Sequence, residues 1–106
     1  MATQFVVDWQ GKPVRLTGER LRHIGERPEM RGLEASILRT IRSPVCVVQS
    51  RSDSDTLLYY RAIADTPVGD KLICVVVKQG RGDAFVLTAY LTDRVEKGRL
   101  IWPVAS

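Results

Sequence analysis

The chain holds one histidine and two cysteines, and this scarcity narrows its chemistry at once. Cys46 lies in "PVCVVQS" and Cys74 in "KLICVVVK", with neither the CxxC spacing of a zinc site nor the density of a disulfide framework. Both read as buried, reduced thiols of a cytoplasmic protein. No window approaches the run of about 18 apolar residues that a membrane span requires, and "MATQFVVDWQGK" lacks the basic and apolar regions of a signal peptide. No Gly-rich loop leads from a strand into a helix with a lysine after it, which excludes P-loop and dinucleotide-binding chemistry, and the "GRG" near residue 81 is a turn feature. No elbow motif surrounds a serine, and the sole histidine precedes both cysteines by a helix or more, so acyl transfer is not expected. No cofactor is expected either.

A metal would have to use His23, Glu26 and Glu29 of "RHIGERPEM". Residues at i, i+3 and i+6 turn progressively away from one another on a helix, and Gly25 and Pro28 interrupt the geometry. Metal binding is set aside on that ground.

What is present is ordinary globular composition: 106 residues, 44% hydrophobic and 26% charged, enough for one core and one domain over residues 1–106. Sixteen Lys and Arg oppose twelve Asp and Glu, for a net charge of +4. Such an excess serves solubility, and it also suits a polyanionic partner. Seven arginines, Arg15, Arg20, Arg22, Arg27, Arg31, Arg39 and Arg42, fall within 28 residues against four glutamates, Glu19, Glu26, Glu29 and Glu34. Guanidinium groups bind phosphate in a bidentate way, so such a face would suit phosphates.

The spacing of apolar residues predicts an α+β domain. "TQFVVDWQGKPVRLT" reads as two short, weakly marked strands about a turn at 10–13. Thr17 stands where an N-cap should, ahead of a short helix with Leu21 and Ile24 on one face and Gly25 at its end. Pro28 is placed as the first residue of a second helix carrying Met30, Leu33, Ile37, Leu38 and Ile41, stopped at Ser43 and Pro44. Period two then takes over in "VCVVQS", "TLLYYRAI", the nearly continuous apolar run "KLICVVVK", and "AFVLTAYLT", the last two joined by the hairpin turn "QGRGD". "RLIWP" reads as a short edge strand ended by Pro103. The expected architecture is two N-terminal helices packed on one face of an antiparallel sheet of four or five strands.

The polar residues of this frame suit metal-free cleavage of RNA by its own 2′-hydroxyl, which needs a base, an acid and donors for the charged phosphorane. His23 has the pKa range for proton transfer. Arg61 and Lys78 bring positive charge on strands, and Thr88 and Tyr90, two apart on one strand, project from the same face. Each also has a plain structural reading: a solvated histidine, strand-favouring Thr and Tyr, and cations where buried strands reach solvent. The hairpin places Thr88 and Tyr90 several residues from Lys78, toward Cys74 and Leu72.

The order "RHI", "RPEM", "ILRTIRSP", "YYR", "KLICVVVK", "FVLTAYLTD" and "GRLIW", spread over about residues 20–102, resembles the phage-associated branch of the ribonucleases and toxins that includes barnase, EndoU, the tRNA-cleaving colicins and RelE-like toxins. The resemblance implies the fold of that superfamily (BECR), with N-terminal helices on a four-stranded antiparallel sheet, and metal-independent endoribonuclease activity, often as a toxin. By position His23 and Glu29 match the family's helical motif, Arg61 its "YYR" strand, Lys78 the end of its central strand, and Thr88 and Tyr90 its "TAY" strand; His23, Arg61, Thr88 and Tyr90 are the expected catalytic residues, and Lys78, Glu29, Arg22 and Arg27 the expected substrate-binding ones. The resemblance implies RNA as partner and leaves room for an antitoxin or immunity protein. Only one histidine is present where several relatives use two, which leaves the acid and base roles unassigned. Two other readings stay open: an RNA-binding or protein-interaction module of the same fold without catalysis, and a homodimer joined through an edge strand.

Overall fold

The computed structural model describes residues 3–104. Seven strands, β1 (Gln4–Val7), β2 (Pro13–Leu16), β3 (Cys46–Ser50), β4 (Thr56–Thr66), β5 (Gly69–Gly80), β6 (Asp83–Thr92) and β7 (Gly98–Trp102), form one sheet in the order β1-β2-β6-β5-β4-β3-β7. Two helices, α1 (Gly18–Ile24) and α2 (Glu34–Arg42), and a 3-10 turn (Pro28–Met30) fill the connection between β2 and β3. Among the described residues no helix is long and apolar enough to cross a membrane.

This corrects the expected sheet of four or five antiparallel strands. Strand takes 50% and helix 19% of the described residues, and the sheet is mixed because β2 runs parallel to β6, with Arg15 opposite Phe85. The N-terminal hairpin therefore extends the main sheet at one edge, and β7 extends it at the other by pairing with β3. Period two marks each of these strands locally. It carries no information about which distant strand each one joins, and the β2–β6 pairing brings together Arg15 and Phe85 with both helices and three strands between them in the chain.

The second helix is also shorter than its apolar spacing predicts. Pro28 opens only the 3-10 turn, Gly32 adopts φ +77°, and α2 begins at Glu34. A positive φ is inexpensive for glycine alone and ends the turn there. Met30, Ile37 and Ile41 are nevertheless buried on one face as their spacing requires. Thr17 caps α1, its Oγ1 accepting the Arg20 N–H at 3.1 Å.

Alternation along the strands gives the sheet two apolar faces. The inner face, under the helices, gathers Val14, Leu16, Val47, Leu57, Tyr59, Ile73, Val75, Val77, Val86 and Ala89 with Ile24, Met30, Ile37 and Ile41. The outer face carries a smaller cluster of Val48, Leu58, Tyr60 and Cys74. The β1–β2 turn folds over the inner face: Trp9 meets Tyr59 edge-on at 5.4 Å and Trp102 at 6.2 Å. Buried Asp8 accepts the Tyr59 hydroxyl through Oδ2 and the N–H groups of Gln10 and Lys12 through Oδ1, all at 2.9 Å. Trp9 comes from the turn after one edge strand and Trp102 from the other edge, so the sheet must curl around its inner core.

Candidate functional site

Register across the strands orders the outer face into rows. One row runs Cys46, Tyr60, Cys74, Tyr90 across β3, β4, β5 and β6; the next holds Leu58, Val76 and Thr88; a third holds Thr56, Lys78 and Phe85. Lys78, Thr88 and Tyr90 therefore share one face, because the register shifts between Val76 and Val77, and Lys78 stands two rows from Tyr90, several residues away as the hairpin predicts. Arg61 alternates with Tyr60 and stands on the inner face instead, where its Nη1 donates to the Ser43 carbonyl at 2.6 Å. There it steadies the carbonyl end of α2, a natural place for a cation. It also lines a recess of about 220 Å³ with Arg39 and Ser36.

Tyr90 is the centre of the most mixed grouping. Tyr90 and Tyr60 stand on either side of Cys74 in the sheet, and the Tyr60 hydroxyl oxygen accepts the Glu96 N–H at 3.0 Å. Burial first, and the neighbouring Cys74 second, raise the Tyr90 pKa. Burial likewise pushes the Cys74 thiol up to about 11, so it stays protonated and unreactive near neutrality. The Tyr90 hydroxyl is thus held neutral within the outer cluster, and its ring is what the protein presents to the edge.

Arg27 covers that ring. It leaves the end of α1, donates from Nη1 to the Ala89 carbonyl at 3.2 Å, and sets its guanidinium 5.9 Å from the Tyr90 centroid. Arg27, Glu29, Tyr90, Leu91, Lys71 and Val68 line an open recess of about 440 Å³. Three of the residues expected from sequence, Arg27, Glu29 and Tyr90, are therefore brought together. Lys71, paired with Asp93 at 2.6 Å, is an addition; its one sequence signal is a cation at the head of an apolar strand.

His23 does not line this recess. It lies exposed in the last turn of α1, four residues before Arg27, with Nδ1 3.4 Å from Glu26 Oε2. Arg22 is exposed beside it. Glu29 sits in the 3-10 turn, so no long helix follows it whose dipole it could complement. Lys78 forms an ion pair with Asp53. That pairing, the Asp55 N–H and the Thr56 hydroxyl lower the Asp53 carboxyl to about 2. Thr88 is half-buried between the two outer rows. Among the described residues no group of three His, Cys, Asp or Glu side chains is placed to hold a metal ion.

No protein-family model, curated protein or solved structure matches the chain.

Proposed function

We propose that the protein is a metal-independent endoribonuclease-like domain that takes RNA at the α1–β6 edge and cleaves it by attack of the 2′-hydroxyl. The observation that carries this reading is the recess in which Arg27, Glu29, Lys71 and the Tyr90 ring converge from separate parts of the chain. Two cations, a carboxylate and an aromatic ring in one open recess suit a phosphodiester beside a base. Arg27 and Lys71 neutralise the phosphate; Glu29 is an acceptor for a ribose hydroxyl. His23, exposed in the last turn of α1 and outside the recess, is the residue that the motif resemblance assigns to proton transfer. The motif resemblance points to the same activity.

The test is incubation of purified protein with RNA in EDTA. Product ends carrying 2′,3′-cyclic phosphate are expected. Arg27→Ala should slow cleavage on the order of 10²-fold as charge stabilisation is lost, and His23→Ala on the order of 10²-fold or more. Wild-type rates in both variants would remove these residues from the reaction.

The exposure of His23 and its pairing with Glu26 favour one second reading, an RNA-binding module without cleavage. It predicts salt-dependent affinity and intact RNA after prolonged incubation.

A further inference from the structure

The third outer row continues beyond β6 through the parallel pairing. Phe5, Arg15, Phe85 and Lys78 stand in register on β1, β2, β6 and β5. Their inward neighbours Val6, Val14, Val86 and Val77 are all in the inner core, so the four side chains project outward together.

Two aromatic rings here alternate with two cations. Phe5 is 66% exposed. The Arg15 guanidinium lies 5.2 Å from the Phe85 centroid while Nη2 donates to Asp83 Oδ2 at 2.9 Å. Neighbouring strands are about 4.8 Å apart, so Phe5 and Phe85, two strands apart, are separated by roughly 10 Å with the arginine between them. Isolated exposed apolar residues are ordinary, but a register-locked aromatic and cationic row on an uncovered sheet face is the arrangement that stacks bases and neutralises a backbone. The contrast within the face is direct: Tyr60 and Cys74, at the middle of the first row, are buried.

The charge at this end supports an anionic strand. Asp83 and Asp53 hold Arg15 and Lys78, while Lys12 and Arg81 have no ion-pair partner among the described residues. Lys12 lines a recess of about 330 Å³ between the β1–β2 and β5–β6 turns, with Gly80, Gly82 and Asp83. A backbone phosphate can enter beside those glycines, which carry no side chain to obstruct it.

We propose that the Phe5–Arg15–Phe85 row is a stacking track for single-stranded RNA, with bases on the two phenylalanines and phosphates at Lys12, Arg15 and Arg81. It rests on the RNA reading above and locates substrate away from the Tyr90 recess. Phe85 and Tyr90 lie five residues apart along β6, about 16 Å at the usual strand rise, so one strand of RNA would span both.

The test uses fluorescence anisotropy with a labelled 2′-O-methyl oligoadenylate, which lacks the attacking hydroxyl, and an abasic oligomer of the same length. Phe5→Ala is expected to weaken oligoadenylate binding about tenfold, in the range of one lost base stack. Phe5→Trp should retain affinity, and the abasic oligomer should bind more weakly and equally to all three proteins. Undiminished affinity in Phe5→Ala, with wild type binding normally, would overturn the track and leave the RNA reading standing. No binding by wild type to either this oligomer or natural RNA would remove both. A concentration-dependent dimer that Phe5→Ala dissociates, without change in RNA affinity, would make the row a contact between copies and overturn the track.

Discussion

Cys74 shows how strongly a position within the sheet sets the chemistry of one side chain. The sequence reading of a buried, reduced thiol is matched at this position, and the pKa shift gives it a pH consequence. Burial moves the thiol from its ordinary 9.0 up to about 11, and burial likewise raises Tyr59, Tyr60 and Tyr90. Between pH 9 and 11 the folded chain keeps the Cys74 proton that the unfolded chain has released, so stability falls as pH rises through that window. Asp53 acts at the other end. Its carboxyl is lowered from 3.8 to about 2, so its favourable share is present above pH 3.8 and is lost as pH falls toward 2. Urea midpoints measured from pH 2 to 11 should therefore decline at both ends. Cys74→Ala should flatten the alkaline decline, and an unchanged alkaline slope would show that the thiol does not contribute to it. At this scale the sequence was readable wherever alternation fixes a face, as for Tyr59 against Tyr60 and Thr88 with Tyr90. It did not show that Tyr90 stands beside Cys74, because that depends on which residue of β5 is opposite.

The β3–β7 pairing is the element most exposed to a single atom. Gly98 lies opposite Ser50 at the start of β7. A Cβ added there would run into the Gln49 carbonyl oxygen and come within 2.6 Å of Val48 Cγ1. Gly98→Ala should push β7 off β3 and destabilise the fold by about 1–3 kcal/mol, the usual cost of overpacking. The measurement is hydrogen exchange together with thermal melting: faster exchange confined to β7 and β3 and a lowered Tm are expected. Gly80→Ala is the control, since its Cβ would meet nothing closer than 3.8 Å. Elements with strong local signals, α1 behind its Thr17 cap and the β5–β6 hairpin, were legible from sequence. The second helix was not, because the same apolar spacing fits one helix or a 3-10 turn followed by a helix, and Gly32 decides between them through its backbone.

For the whole molecule, the contact of the β1–β2 turn with Tyr59 and Trp102 holds the curl of the sheet. The Tyr59 hydroxyl is the partner of Asp8 Oδ2, and Asp8 is 5% exposed. Tyr59→Phe leaves that oxygen without its donor and should cost about 1–3 kcal/mol in chemical denaturation. The same change should loosen Trp9, visible as a red shift and altered quenching of tryptophan emission. A variant as stable as wild type, with unchanged emission, would show that the aromatic packing alone keeps the turn in place. The sequence by itself determined the basic, arginine-rich stretch between residues 15 and 42, the strand segments and the first helix, and the common face of Thr88 and Tyr90, because period and composition are local properties; that Lys78 shares this face follows from the register shift between Val76 and Val77. Only the tertiary structure decided the seven-stranded mixed sheet, the removal of Arg61 to the inner face among α2 contacts, the meeting of Arg27 with Tyr90, and the row that joins Phe5 and Arg15 to Phe85. Each of these depends on the pairing of strands or helices distant in sequence, and that pairing is chosen by burial of the whole core.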